Sequence, residues 1–293
     1  MFASRAVAPS LLAALLVAAP LPAQRALSQR ALPPGAKVPA AFLQMRPRVG
    51  DTLRMRLDQQ VEMSGSARVG NVDSTITVTT RTRVLTHSVV ERSEAAGTTM
   101  LAVTDSVLVS STKGDRPIVA EQARPGLQGR RVQLLVAPDG ATRVVGGGED
   151  LAPELHSAFQ QMPAMLPRDA VAVGDSWTRT MSFPGAGPVG KAGRAAGLVA
   201  VFRLDSLTRD GELAHVSLRG TLSRDGVADS TQHGLTVAMT GAVVGSMVID
   251  RRRGWLTDAH TTLTVRSTVA PRPGAGAQPM KLRMKVTQWL RAL

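Results

Sequence analysis

Apolar and polar residues alternate one by one through most of this chain. Ile76, Val78, Thr80, Thr82 and Val84 interleave with Thr75, Thr77, Thr79, Arg81 and Arg83, the period-2 pattern of a strand with one buried and one wet face. Leu101, Val103, Val107 and Val109 continue it past an Ala95-Ala96-Gly97 turn, and Val132, Leu134 and Val136 form a shorter strand. At Pro138-Asp139-Gly140 proline presets φ and glycine supplies a positive φ, so the chain turns and Thr142 to Val145 returns. The second half repeats the grammar. Leu198, Ala200, Phe202 and Leu204 alternate with Val199, Val201, Arg203 and Asp205; Arg209-Asp210-Gly211 turns; Ala214, Val216, Leu218 and Leu222 run back. Val243 to Asp250, an Arg253-Gly254 turn and Trp255 to Val265 make a further hairpin. In the last strand Met280, Leu282, Met284 and Val286 face one way while Lys281, Arg283 and Lys285 face the other. The pattern predicts a mainly β protein, a curved antiparallel sheet that is apolar on one face.

Helical spacing is scarce. After Gly146-Gly147-Gly148, Asp150 can cap and Pro153 suits a first turn; Leu151, Leu155, Phe159 and Met162 then form one apolar stripe until Pro163 ends it. Glu154, His156, Gln160 and Gln161 occupy the other side, so this helix is expected to cover the sheet as a lid. A second short covering helix is expected from about Pro39 to Met45.

One phrase occurs twice. Ala41-Phe42-Leu43-Gln44-Met45 leads into Val49-Gly50-Asp51-Thr52, and Ala158-Phe159-Gln160-Gln161-Met162 leads into Val173-Gly174-Asp175-Ser176-Trp177. The Gly129-to-Gly140 and Gly245-to-Gly254 hairpins sit at matching places. The sheet is therefore expected to arise from two duplicated halves: a first β-rich repeat over 38–148, then the helix and a second repeat over 149–293. Gly50, Asp51, Gly174, Asp175 and Trp177 read as structural, with glycine permitting the turn, aspartate accepting backbone N–H bonds and tryptophan anchoring the next strand.

The first 23 residues carry one charge, Arg5, an apolar run from Leu11 to Val17 and small residues up to Ala23. This is a secretory signal pattern, too short to span a bilayer, with cleavage expected near Ala23 and a mobile leader over 24–37. No cysteine occurs, so nothing can be acylated or bridged. A periplasmic or secreted bacterial protein without a transmembrane anchor follows as the expectation. The formal net charge of +13 is mostly arginine, which leaves an anionic envelope surface as a candidate partner. Nucleic acid is disfavoured: basic residues are scattered, and 5 Phe, 3 Trp and no Tyr offer few stacking platforms.

Candidate chemistry is thin. Gly185 to Ala192 fits GxxxxGK, but Ala192 cannot hold magnesium and the following residues alternate like a strand, so no nucleotide cofactor is expected. His87, His156, His215, His233 and His260 show no metal-ligand spacing, and no acid pair stands out, so neither a metal nor a catalytic residue is assigned. With 12 methionines in the chain, Met280 and Met284 join Leu151, Leu155, Phe159 and Met162 as the expected lining of an apolar cleft between sheet and helix.

Gly174-Asp175-Ser176-Trp177-Thr178 resembles the GDSxT nucleophile block of the GDSL-type hydrolases. That resemblance implies a Ser176 nucleophile served by a histidine from a DxxH block; Asp258-Ala259-His260 is one residue short of it, and Thr52 stands at the matching place of the first phrase. Leu166-Pro167, Val171 and Val173-Gly174-Asp175-Ser176-Trp177 together resemble the LP…VxVGDSW signature of a family of uncharacterised exported bacterial β-rich proteins, a domain of unknown function. The resemblance implies a lineage and an envelope address, and a curved sheet under a helix is similar to periplasmic lipoprotein-carrier folds. Three functions result: a non-enzymatic binder or carrier of an apolar ligand, a structural partner of the envelope with no small ligand, and a serine hydrolase.

Overall fold

The computed structural model describes residues 40–69, 72–147, 164–183, 196–228, 235–271 and 279–293. Twelve strands lie within them: β1 (Thr52–Val69), β2 (Val72–Glu94), β3 (Gly97–Lys113), β4 (Arg116–Ala123), β5 (Arg131–Val136), β6 (Thr142–Gly146), β7 (Ser176–Phe183), β8 (Ala196–Thr208), β9 (Leu213–Ala228), β10 (Leu235–Asp250), β11 (Trp255–Pro271) and β12 (Met280–Ala292). All pair antiparallel in one sheet of order β6-β5-β3-β2-β1-β12-β11-β10-β9-β8-β7, with β4 beside the far end of β3. β1 and β12 pair over Met55↔Ala292 to Ser66↔Lys281, so the first and last strands of the chain join its two halves in mid-sheet.

The sequence made these strands long. β2 runs for 23 residues and β11 for 17, and each strand ends where turn residues reverse the chain. Arg209, Asp210 and Gly211 all take positive φ (51°, 55° and 87°) between β8 and β9, a conformation that matches the twist of a tight hairpin.

The sheet curls until its edges meet at one end. Laid flat, the edge strands β6 and β7 would stand about 48 Å apart at roughly 4.8 Å per strand. Instead the amides of Met165 and Leu166 both donate to Asp139 O in the β5–β6 turn, while Trp177 and Arg179 of β7 donate to the carbonyls of Met165 and Leu166. Residues 41–46 complete the seal. Ala41 exchanges both backbone bonds with Val171, Met45 N donates to Pro138 O, and Arg46 N donates to Gly254 O in the β10–β11 turn. Five strands carry an extra residue towards this end, Glu91 in β2, Asp105 in β3, Val145 in β6, Asp205 in β8 and Thr257 in β11, and such bulges sharpen the bend.

Two expectations change here. Residues 41–47 are extended, not helical: Ala41, Leu43, Met45 and Pro47 are buried while Phe42, Gln44 and Arg46 are exposed, which is a strand's period of two. Leu101 and Val103 do not share a face with Val107 and Val109, because the bulge at Asp105 turns Met100 and Ala102 inward in their place. The expected helix over 151–162, the signal segment and the leader lie outside the described residues.

The two VGD turns are alike bond for bond. Gly50 and Gly174 take φ of 86° and 99°. Asp51 Oδ2 accepts from Arg48 N and Asp175 Oδ2 from Ala172 N, at 3.0 and 2.8 Å. Gly50 N donates to Val90 O and Gly174 N to Leu204 O, with the return bonds Val90 N to Asp51 O and Leu204 N to Asp175 O. Each turn thus ties the start of one strand to the end of the next.

Candidate functional site

Register sorts the side chains onto two faces. The buried segments Ala41, Leu43, Met45, Leu166 and Val171 belong to one cluster with Leu204, Val216, Ile249, Leu256, Leu134 and Val136. Since those segments also bridge the two edges, the face they rest on is the concave, inner one. Outward point Thr178, Ser217, Arg219, Thr221, Ser246, Thr262, Arg266, Lys285 and Arg83, with exposed Val199, Val201 and Val244 among them. Strands that cross a membrane point apolar residues outward and polar ones inward; this order is the reverse.

Away from the sealed end the inner face stays apolar. Val61, Val286, Leu263 and Val243 form one row across β1, β12, β11 and β10, and Met63, Met284 and Val265 the next. Towards the far end of β1 and β2, Met63 and Ile76 are 46% and 49% exposed, although both lie on the inner face. The trough is closed at one end and reaches solvent towards the other.

One row interrupts it. Thr82, Gln59, Gln288 and Thr261 stand side by side on β2, β1, β12 and β11, each the direct partner of the next. Gly245, Leu218, Phe202 and Trp177 continue the same row to the edge of the sheet. The four polar residues are 6%, 6%, 0% and 0% exposed. Above them lie Thr80, Val61, Val286 and Leu263, and below them Val84, Leu57, Leu290 and Ala259, so Thr80, bonded to Ser111, is the one polar residue beside seven apolar ones in these flanking rows. A band of amide and hydroxyl groups about 15 Å wide therefore crosses an apolar wall. The hydroxyl of Thr261 has no hydrogen-bond partner. Glutamine and threonine at the apolar parity of four strands were the signal in the sequence, and only the register brings them together.

The predicted site residues divide. Met284 is half-buried against the core and Met280 lies at the start of β12, 39% exposed, both on the inner face. Leu151, Leu155, Phe159 and Met162 lie outside the described residues. Trp177 anchors β7 as expected, its ring stacked on Phe202 with centroids 5.7 Å apart and its Nε1 donating to Met165 O at 2.7 Å. Ser176 is exposed and pairs with Arg203, whereas His260 sits on β11, with β8, β9 and β10 between them, about 19 Å of sheet. The structure does not bring that pair together. Among the described residues no group of three or more His, Cys, Asp or Glu could hold a metal ion.

Electrostatics belong to the outer face. Asp58 is held by Arg56 at 2.6 Å and Arg83 at 2.9 Å; burial works to raise its pKa, and the two guanidinium hydrogen bonds and charges outweigh it, leaving the carboxyl below its ordinary value. Lys285 lies near Glu62, and Arg291 near Asp258. His260 stacks on Trp289, 4.8 Å between centroids. Burial lowers its pKa, Asp258 opposes that and Arg291 adds to it.

A family model described as "Family of unknown function (DUF6263)" matches residues 108–256, just over half of the chain. The chain belongs to this family. The DUF6263 match runs from within β3 to the start of β11 and includes the turn of Gly174 and Asp175. No curated protein matches the chain. Among solved structures it is similar to one described as "Lipid-protein interactions in lipovitellin", with 8% identity, a TM-score of 0.45 and coverage of 84% of this chain and 25% of that one. This DUF6263 protein thus spans a quarter of that lipovitellin chain. It is also similar to the outer membrane protein OprG from Pseudomonas aeruginosa, with 6% identity, a TM-score of 0.21 and coverage of 85% and 95%. A third likeness is to DynF from the dynemicin biosynthesis pathway of Micromonospora chersina, with 9% identity, a TM-score of 0.18 and coverage of 87% and 86%. No helix among the described residues is long and apolar enough to cross a membrane.

Proposed function

We propose that this protein is a non-enzymatic binder or carrier of an apolar, lipid-like ligand, acting outside the cytoplasm after removal of residues 1–23. The observation that carries the reading is the inner face: an apolar wall sealed at one end by Leu43, Met45 and Leu166 and reaching solvent at Met63 and Ile76. Most of the wall is buried, Val243, Leu263 and Val286 among it, and the part that reaches solvent at Met63 and Ile76 is apolar surface that a ligand would cover, at a gain of about 25 cal/mol for each Å². In this reading the ligand lies on the inner face beside Met280 and Met284; the stripe of Leu151, Leu155, Phe159 and Met162, which the sequence predicts as a lid, lies outside the described residues. No residue is assigned to catalysis. The same reading takes the two VGD turns as copies of one ancestral unit.

Mass spectrometry of lipids that co-purify with the native protein tests the proposal. A bound acyl or other apolar compound, lost in Phe159→Asp, is the expected result. Recovery of protein free of any lipid, together with failure of any fluorescent apolar probe to bind, favours the alternative of an envelope-structural protein that uses its arginine-rich outer face.

A further inference from the structure

Thr261 poses a question that packing does not answer. Its side chain is 0% exposed and its hydroxyl has no partner, although a buried polar group left unpaired costs about 1–3 kcal/mol. On the β10 side it faces Gly245, which has no side chain to cover it, and on the β12 side it continues into Gln288, Gln59 and Thr82. A threonine at this place is avoidable: valine has the same shape and would suit a wall made of Leu263, Val286 and Ala259. The polar row is also free of charge. The rows flanking it carry one charged side chain among the described residues, Arg179, which lies four strands away on β7 and donates to the Leu166 carbonyl.

We propose that this row is a recognition band for a neutral amphiphile, one whose uncharged hydrogen-bonding group, an ester or amide carbonyl, sits within the trough with apolar chain above and below it. The proposal rests on the trough being a ligand site. The Thr261 hydroxyl donates to the carbonyl oxygen, and the threonine and glutamine groups of the band line the rest of its polar surroundings. An ionised head group does not fit there, because burial of a carboxylate demands a cation beside it and the band supplies none. A plain hydrocarbon does not fit well either, since it leaves the hydroxyl unpaired. The band therefore discriminates by functional group, and the wall around it by chain length.

The test uses the mature full chain and two pyrene-labelled probes of equal length, an alkyl ester and an alkane. The ester should bind about tenfold more tightly than the alkane. Thr261→Val should reduce that preference to under about threefold by weakening the ester, and Thr261→Ser should restore it. Should Thr261→Val fold poorly, Thr82→Val reads the other end of the band. Equal binding of ester and alkane by the unaltered protein, or an ester preference that survives in Thr261→Val, overturns the band and leaves the trough standing. Failure of both probes to bind overturns the trough reading and the band with it.

Discussion

Arg46 closes onto Gly254 so tightly that glycine is required there. The Arg46 amide donates to Gly254 O at 2.7 Å, Gly254 has φ +63°, and a Cβ on it would lie 2.6 Å from the Arg46 carbonyl carbon. The contact fixes the extended segment that carries Leu43 and Met45 into the core, and so holds the sealed end of the trough. Gly254→Ala should cost about 1–3 kcal/mol, from the left-handed backbone and the displaced segment together. Thermal denaturation reads the loss, and limited proteolysis should show cleavage near residue 46 at protease levels that leave the unaltered protein intact.

The VGDSW turn separates structure from chemistry at single-residue resolution. Trp177→Ala removes a ring stacked on Phe202 and the bond to Met165 O, and should destabilise by about 3 kcal/mol, the lower range for losing a large aromatic. Asp175→Ala loses one backbone cap, about 0.5–1.5 kcal/mol. Ser176→Ala should leave the melting temperature within about a degree of the original, since the side chain is exposed on the outer face. Loss of a cellular function in Ser176→Ala at unchanged stability would point to a hydrolase.

Stability should fall on mild acidification through His260. Its folded pKa lies below the ordinary value of about 6.5, so beneath that pH the unfolded chain takes up a proton that the folded chain refuses. The contribution is complete above about 6.5 and is lost as pH falls towards the lowered value. Asp58 acts lower on the scale: its folded pKa is depressed, so its contribution is complete above about 4 and is lost as pH falls through the folded value. Melting temperatures across pH 7 to 3 should show both limbs, with His260→Gln flattening the upper one and Asp58→Asn the lower.

Much of the sheet was legible in the sequence because each strand announces itself locally. Leu198 to Leu204, the Pro138-Asp139-Gly140 turn and the Arg253-Gly254 turn stand where alternation and turn chemistry place them. Residues 41–47 misled because Ala41, Phe42, Leu43 and Met45 suit either period, and only docking against Val171, Pro138 and Gly254 decides for the extended form. Leu101 and Val103 misled because one extra residue, Asp105, inverts the parity of a strand, and its pairing with His87 at 2.6 Å is a long-range contact that no local pattern carries. The polar row was hidden for a similar reason. Gln59, Thr261 and Gln288 each look like one stray polar residue in an apolar run, Thr82 follows Thr80 at the same parity, and they become a band only when four strands from opposite ends of the chain fall into register.

Whether the inner face holds apolar ligand is tested most directly by a matched pair of substitutions. Met63 and Val199 are similarly exposed apolar residues, 46% and 43%, on opposite faces of the sheet. Fluorescence titration of the mature protein with a pyrene-labelled alkyl ester should show saturable binding, weakened about tenfold or more by Met63→Asp and unchanged by Val199→Asp. An absence of binding to the unaltered protein, or equal affinities in both variants, would contradict the account.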